Sequence, residues 1–248
     1  SQSALASYLG PPGVNQPAIS SDRKTALIFN GEIYNFNELV NSLPNSEGIL
    51  DEPSLILELY KTHGKACFAK LKGMFAIAIL TPRKLILARD TLGIKPLVYF
   101  VEKGEMFFAS EIKALLRAWE KRIEIEKEAL AEAAVFGFIF DMEKTMFKGL
   151  RQVPPGSYIC FNGNKIQLEK FSSCKPSFSG DVVWKQDDTQ EKLAELMDSA
   201  SRLYLNHSKH PQAIYLSGGL DSTLMTHFLQ KNSDQKLDTF TLFDDDRC

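Results

Sequence analysis

Short apolar runs separated by turn residues dominate the middle of the chain. Runs of strand length joined by a few residues are typical of antiparallel strands, because parallel strands need long crossover connections. The pattern therefore predicts an antiparallel sheet rather than alternating strand–helix units. The predicted strands are residues 74–80, 84–88, 97–101 and 106–109.

Two Asn-Gly pairs predict hairpin turns, because this dipeptide supplies the positive φ angles of a type I′ turn. One pair follows the apolar residues 26–29, and the other lies between residues 157–161 and 165–170. We expect the chain to reverse its direction at each pair. The pairs are Asn30-Gly31 and Asn162-Gly163.

Three further segments have the apolar spacing and end signals of helices. Segment 51–64 begins with acidic residues and a proline and ends at Gly64. Segment 129–138 is apolar and is also expected to be helical. A third helix is expected to begin at a cap formed by Asp188 and Glu191. Its apolar stripe consists of Leu193, Leu196, Met197, Ala200 and Leu203.

The last quarter of the chain has the pattern of a second domain. Residues 172–185 contain Ser, Pro and Gly without an apolar period, so we expect them to link a first domain, 1–171, to a second, 186–248. The run at 213–216 predicts a buried parallel strand, and 238–243 predicts the next one. One helix and two strands cannot cover both faces of a parallel sheet, so the second domain is expected to be incomplete.

A glycine-rich loop after the strand predicted at 213–216 carries the clearest chemical signal. Adjacent glycines let a phosphate approach the main chain, and the N-terminus of the following helix offers free N–H groups and a positive dipole end. The Gly-Lys-Ser/Thr ending of a P-loop is absent. A turn without chemistry is the alternative, but the whole string resembles the pyrophosphate-binding loop of the ATP pyrophosphatases. It consists of Ser217, Gly218, Gly219, Leu220, Asp221 and Ser222.

Composition is that of an ordinary soluble globular protein, with 248 residues, 44% hydrophobic and 24% charged. A net charge of −2 gives no electrostatic reason to expect nucleic acid or an anionic membrane as a partner. The longest apolar run is too short to span a bilayer, and no signal peptide is recognisable. We expect a cytoplasmic protein with reduced thiols, because its cysteines are scattered without a CxxC pair. They are Cys67, Cys160, Cys174 and Cys248.

Seven strings, in order from about Gln16 onward, resemble the glutamine-dependent asparagine synthetases. The match covers most of the chain, and seven ordered strings are highly specific. They are Phe-Asn-Gly-Glu-Ile-Tyr-Asn at 29–35, Gly-Met-Phe-Ala at 73–76, Ala-Arg-Asp at 88–90, Gly-Ile-Lys-Pro-Leu at 93–97, Phe-Ala-Ser-Glu-Ile-Lys at 108–113, Val-Pro-Pro-Gly at 153–156, and the loop at 217–222.

The resemblance implies an α+β N-terminal-nucleophile-type glutaminase domain, with two antiparallel sheets and helices. The beginning of an α/β parallel-sheet ATP pyrophosphatase domain would follow it. The implied reaction uses ATP with Mg²⁺, glutamine and aspartate, and yields asparagine, glutamate, AMP and pyrophosphate through β-aspartyl-AMP. Asp221 is the candidate Mg²⁺ ligand, and the family allows a homodimer.

The resemblance also implies roles for individual residues. Asn30 and Gly31 match the oxyanion-hole pair, a side-chain amide and a backbone N–H aimed at developing charge. Glu32 matches a position lining the glutamine pocket, and Glu52 takes the place of the aspartate that binds the glutamine amino group. Leu216 matches the residue that touches adenine, ahead of the ATP-binding loop at Ser217 to Ser222.

Arg89 and Asp90 follow the strand predicted at 84–88. A functional pair is conceivable, but a structural ion pair beside the sheet is the favoured interpretation. Lys95 lies in the Gly-Ile-Lys-Pro string, where a shaped loop is favoured over a catalytic amine.

Three departures from the family pattern bear on activity. The family's nucleophile is an N-terminal cysteine, whereas residue 1 is serine here, and the glutamine-binding arginine has no counterpart. The remaining ATP contacts and the aspartate site would lie beyond Cys248. We therefore expect a piece of the enzyme, truncated at both ends and without glutaminase activity by itself.

Two other functions remain open. One is a relative that forms another amide bond, as β-lactam synthetases or lasso-peptide cyclases do, with an inactive glutaminase domain. Retention of Asn30, Gly31 and Glu32 speaks against it, because an idle pocket needs no oxyanion donors. The other is a truncated product without catalysis.

Overall fold

A computed structural model describes residues 16–44, 47–119, 124–163, 165–172, 186–205 and 212–242. The chain divides into two compact units, residues 1–175 and 176–248. Apart from Ser172, the predicted linker lies outside the described residues, as do Cys174 and Cys248. Each unit is considered by itself below.

Nine strands form two sheets in the described part of the first unit, and all their pairings are antiparallel. The antiparallel prediction is therefore confirmed. The strands are β1 (Ala18–Ile19), β2 (Ala26–Ile33), β3 (Gly73–Leu80), β4 (Leu85–Arg89), β5 (Val98–Glu102), β6 (Glu105–Ala109), β7 (Arg151–Gln152), β8 (Ser157–Phe161) and β9 (Ile166–Lys170).

The larger sheet has the order β1-β2-β3-β4-β8-β9, and the smaller has the order β6-β5-β7. Helix formation agrees with the sequence signals at 51–64, where Asp51 is the N-cap and Gly64 the C-cap. The helix predicted at 129–138 is present and ends earlier, with Gly137 in the left-handed conformation. The helices are α1 (Phe36–Ser42), α2 (Glu52–His63) followed by a 3₁₀ segment (Gly64–Lys70), α3 (Ile112–Ala118) and α4 (Lys127–Phe136).

Both faces of the larger sheet are covered, which follows from the alternation of side chains along its strands. On one face, Phe29 of β2 belongs to a buried cluster with Leu55 and Leu59 of α2. On the other face, Ala76 of β3 belongs to a cluster with Tyr99 of the smaller sheet. The first unit is thus a sheet packed between helix and sheet, an α+β arrangement.

The hairpin predicted at Asn30-Gly31 is wrong. Strand β2 runs straight through both residues and pairs with β3, with Asn30 opposite Ala76 and Gly31 opposite Phe75. Strand β3, although distant in sequence, offers β2 a full ladder of backbone hydrogen bonds. These bonds outweigh the local preference of Asn-Gly for a turn. The second hairpin is confirmed, because β8 pairs directly with β9.

The second unit contains α5 (Gln186–Leu205), β10 (Ala213–Tyr215), α6 (Leu220–Asn232) and β11 (Asp238–Phe240). The prediction of parallel strands is confirmed, since β10 pairs with β11 in parallel. Two details differ. Helix α5 begins before Asp188, which lies in its first turn instead of capping it. Strand β10 is not buried, because 76% of Tyr215 is exposed.

Two cysteines of the described chain, Cys67 and Cys160, are buried free thiols. None of the helices in the described ranges combines the length and apolar character needed to cross a membrane.

Candidate functional site

Asn30 lies on the face of β2 that is turned toward the smaller sheet. Its strand neighbour Phe29 points to the opposite face, into the cluster around α2. The half-buried Asn30 side chain donates from Nδ2 to Oγ of Ser110, 3.4 Å away, just after β6. Opposite Asn30 stands the small side chain of Ala76. The amide therefore lies between the two sheets.

Gly31 lies where β2 and β3 approach each other too closely for a side chain. Its φ is 152°, and a Cβ would lie 2.0 Å from the backbone oxygen of Met74. Gly73 of β3 mirrors it, because a Cβ there would lie 2.1 Å from the backbone oxygen of Glu32. Glycine at position 31 is thus required by the strand pairing, whatever its chemical role.

The two predicted glutamine-binding carboxylates lie on different elements. Glu32 is exposed, two residues after Asn30 on the same face of β2. Glu52 is half-buried in the first turn of α2, which packs on the opposite face of the sheet from the Asn30 side chain. Asp51 beside it is committed to capping, because its carboxylate accepts from the backbone N of Ser54 at 2.8 Å.

Asp90 ties the loop after β4 to the strand residue that faces Gly31. It is fully buried, and its carboxylate accepts four backbone N–H groups. Phe75, the partner of Gly31, donates at 3.2 Å and also accepts from the Asp90 backbone N at 2.9 Å. The other donors, from the loop, are Leu92 at 3.2 Å, Ile94 at 2.9 Å and Lys95 at 3.0 Å.

Arg89 holds the same loop from its other side. Its guanidinium donates to the backbone oxygens of Gly93 at 2.7 Å, Lys95 at 2.8 Å and Val153 at 3.0 Å. Burial lowers the pKa of this guanidinium, and the charge of Asp90 opposes that shift. Among the described contacts, the predicted ion pair between Arg89 and Asp90 is not formed. Arg89 donates to loop backbone oxygens and to Gln152 Oε1 at 3.2 Å, and Asp90 accepts from backbone N–H groups of β3 and the loop. Lys95 likewise contributes its backbone to the loop.

Four of the seven sequence strings therefore meet beside Gly31. The strings at 73–76, 88–90, 93–97 and 153–156 are joined by the bonds of Arg89 and Asp90. Their role in the described structure is to hold β3 and the adjoining loop in place.

In the second unit, the glycine-rich loop joins β10 to α6. Leu216 is fixed at its start, since its backbone N donates to the Phe240 oxygen at 2.9 Å and its oxygen accepts from Thr241 Oγ1 at 2.8 Å. Gly218 has a φ of +80° with open space where a Cβ would lie. Gly219 is the N-cap of α6. The turn therefore presents bare backbone at a helix N-terminus, as anion binding requires.

The loop is closed by its own hydroxyl groups. Ser217 Oγ and Ser222 Oγ lie 3.0 Å apart, and Ser222 Oγ donates to the Gly219 oxygen at 3.1 Å. These hydroxyl groups therefore shape the turn. Asp221 is exposed in the first turn of α6.

A cavity of about 570 Å³ adjoins the loop. Leu216 and Gly218 line it from the loop side, and Thr223, His227 and Lys231 line it from one face of α6. The sequence placed Leu216 and Gly218 here but did not single out the α6 residues, whose i, i+4 and i+8 spacing is the available signal.

The sequence did not reveal which contacts Ser110 and Asp90 make. Both belong to quoted strings, but their partners, Asn30 and Phe75, are distant in sequence.

Comparisons with known proteins match two regions of the chain to two different families. Residues 9–172 match the family profile described as "Glutamine amidotransferase domain", and residues 192–244 match the one described as "Asparagine synthase". The chain is 31% identical over 234 residues to asparagine synthetase [glutamine-hydrolyzing] 1 of Bacillus subtilis, and 28% identical over 222 residues to a putative asparagine synthetase of Methanocaldococcus jannaschii. These alignments cover 92% and 87% of this chain.

The chain spans 36% and 42% of the lengths of these two curated relatives. Among solved structures, it is similar to glutamine phosphoribosylpyrophosphate amidotransferase from B. subtilis, with a TM-score of 0.45 and 18% identity. That similarity covers 90% of this chain and 48% of the other.

Proposed function

Because the chain belongs to the family of glutamine amidotransferase domains, we propose that it is part of a glutamine-dependent asparagine synthetase. The observation that carries the proposal is the order of two sites in one chain. The Asn30-Gly31 pair lies in the amidotransferase region, and the strand–loop–helix at Ser217 to Ser222 lies in the region that matches asparagine synthase. Such an order suits an enzyme that releases nitrogen from glutamine and uses it in an ATP-dependent step.

In the first half of the proposed reaction, glutamine and water give glutamate and ammonia. Asn30 Nδ2 and the backbone N–H of Gly31 stabilise the oxyanion that forms on the glutamine amide carbon. Glu32, on the Asn30 face of β2, lines the glutamine pocket. The family resemblance alone assigns Glu52 to the glutamine α-ammonium group, because its helix packs on the opposite face of the sheet. The close approach of β2 and β3 at Gly31 supports this assignment, since it holds the backbone donor rigidly.

In the second half, the aspartate side-chain carboxylate attacks the α-phosphorus of ATP and displaces pyrophosphate. Ammonia then attacks the activated carbonyl of β-aspartyl-AMP, and AMP leaves as asparagine forms. Backbone N–H groups at Gly218 to Ser222 bind the phosphates, and Leu216 contacts adenine. The open space at Gly218 supports close phosphate approach.

The proposal includes Mg²⁺ as the partner of ATP. Asp221 fits this role, because an exposed carboxylate beside the loop supplies the oxygen ligand that Mg²⁺ prefers. When bound, the ion would neutralise phosphate charge. The proposed setting is the cytoplasm, which the buried free thiols Cys67 and Cys160 support. Assembly as a homodimer is a prediction that the mass in solution tests.

The test of this function is aspartate-dependent ATP–pyrophosphate exchange in the protein encoded by the complete gene. We expect exchange with aspartate and little with glutamate or β-alanine derivatives. Exchange that requires a different carboxylate would replace asparagine synthesis with another amide-forming reaction, as in the β-lactam synthetases. Absence of exchange with every carboxylate would instead favour a product without catalysis.

A further inference from the structure

Ser110 links the two sheets of the first unit at Asn30. It follows directly after β6 of the smaller sheet, whereas Asn30 lies in β2 of the larger sheet, 80 positions earlier in the chain. Asn30 Nδ2 donates to Ser110 Oγ at 3.4 Å. Catalytic hydrogen bonds without substrate are often long and shorten when the substrate binds.

The backbone around Ser110 is held on both sides. Before it, Ala109 pairs with Val98 of β5, and after it α3 begins at Ile112. Ala109 and Ile112 both pack against the buried cluster formed by Val98 and Leu115. Ser110 therefore offers its hydroxyl from a fixed position, as a partner that orients another side chain must.

The contact restricts the Asn30 amide. An asparagine amide has two N–H groups in one plane, and rotation about its last side-chain bond is otherwise broad. Donation of one N–H to Ser110 fixes that plane and leaves the second N–H available in a defined direction. A preorganised donor stabilises developing charge without the cost of reorientation.

We propose that Ser110 is a positioning residue that holds the Asn30 amide in the orientation required for oxyanion stabilisation. This inference rests on the proposed glutamine hydrolysis. Ser110 acts through Asn30, so its loss affects the rate of the chemical step more than glutamine binding.

The kinetic test uses Ser110→Ala and Ser110→Thr in the protein encoded by the complete gene. Ser110→Ala should lower kcat for glutamine hydrolysis about three- to tenfold, the effect of one hydrogen bond, with KM nearly unchanged. Ser110→Thr keeps the hydroxyl and should restore most of kcat. A matched control is Ser157→Ala, which removes a buried hydroxyl that donates to the Pro155 oxygen at 3.2 Å. Equal kcat in Ser110→Ala and the parent would overturn the inference.

A second readout does not depend on activity. The Asn30 side-chain N–H signals, assigned with Asn30→Asp in ¹⁵N-labelled protein, should shift in Ser110→Ala and return toward the parent position in Ser110→Thr. Unchanged Asn30 signals in Ser110→Ala would overturn the contact itself. A parent protein without glutaminase activity would overturn the proposed function, whatever the Asn30 signals show.

Discussion

Gly31 and Gly73 allow β2 and β3 to approach more closely than strands with side chains at these positions. Each glycine faces a backbone oxygen of the other strand, at the position where a Cβ would lie 2.0 or 2.1 Å away. Relief of either contact requires movement of strand backbone, which no rotamer change can supply. The position of the Gly31 N–H is thus fixed by packing before any substrate binds.

Gly31→Ala should destabilise the first unit by about 2–5 kcal/mol, because over-packing and strained backbone costs add there. Gly137→Ala is the matched control, since Gly137 has a φ of +80° but open space around its Cβ position. Gly137→Ala should lower the free energy of unfolding by only about 1–2 kcal/mol. Urea unfolding measures both variants. An equal loss of unfolding free energy in Gly31→Ala and Gly137→Ala would show that the close approach of β2 and β3 at Gly31 does not constrain the residue there.

At the scale of elements, one buried carboxylate shapes the loop between β4 and β5. Each oxygen of Asp90 serves two N–H donors, Leu92 and Ile94 on Oδ1, and Phe75 and Lys95 on Oδ2. An ionised carboxylate is the side chain whose two oxygens can both accept in this way. The loop therefore depends on charge and shape together.

Asp90→Asn should lower the free energy of unfolding by about 2–4 kcal/mol. Whichever way the new amide is turned, its NH₂ group is a donor that faces two backbone N–H donors, which then lack an acceptor. Asp141→Asn is the control, since the exposed Asp141 carboxylate accepts from the Glu143 N–H at 2.9 Å. Chemical denaturation of the two variants measures the difference. A loss at Asp90 no larger than that at Asp141 would contradict the account of this loop.

In the second unit, Asp198 of α5 connects to the end of α6. Its carboxylate accepts from Asn232 Nδ2 at 3.0 Å, Arg202 Nε at 2.8 Å and Lys231 Nζ at 3.0 Å. These hydrogen bonds, that of Asn232 first, hold the pKa of Asp198 well below its ordinary value of 3.8. A depressed carboxylate pKa stabilises the fold above the unfolded-state value, and the effect is lost as pH falls.

Asp198→Asn should therefore increase hydrogen exchange in α5 and α6 at pH 7. The difference from the parent should shrink as the pH falls below about 4, where the parent's carboxylate begins to lose its advantage. Exposed Asp234 of the same unit provides the control variant Asp234→Asn. A difference that stays constant with pH would show that charge at Asp198 does not matter.

Local sequence signals predicted most of the helices and strands. The predictions that failed depend on pairings between residues that are distant in sequence. Start and stop residues located α2, and a short connection located the β8–β9 hairpin. The turn at Asn30-Gly31 was wrong because Phe75 and Ala76, its strand partners, are not visible in local sequence. For the same reason, motif resemblance could mark Ser110 and Asp90 but could not assign their contacts.

At the scale of the molecule, a single chain carries two compact units that match two different families. The first unit is an antiparallel α+β structure. The second contains a parallel strand pair, whose first strand leads into the loop at Ser217 to Ser222. The chain spans 36% of the asparagine synthetase 1 length that it matches. The activity of the whole enzyme is accordingly the central proposal.

The most direct test follows nitrogen from glutamine in the protein encoded by the complete gene. With [amide-¹⁵N]glutamine, aspartate, ATP and Mg²⁺, we expect ¹⁵N in the asparagine side chain, with one AMP and one pyrophosphate per asparagine. Asn30→Ala should reduce transfer from glutamine roughly 10²–10³-fold, the cost of one oxyanion donor, and leave synthesis from ammonia intact. Asparagine without ¹⁵N, or no asparagine while ATP is consumed with another acceptor, would contradict the account.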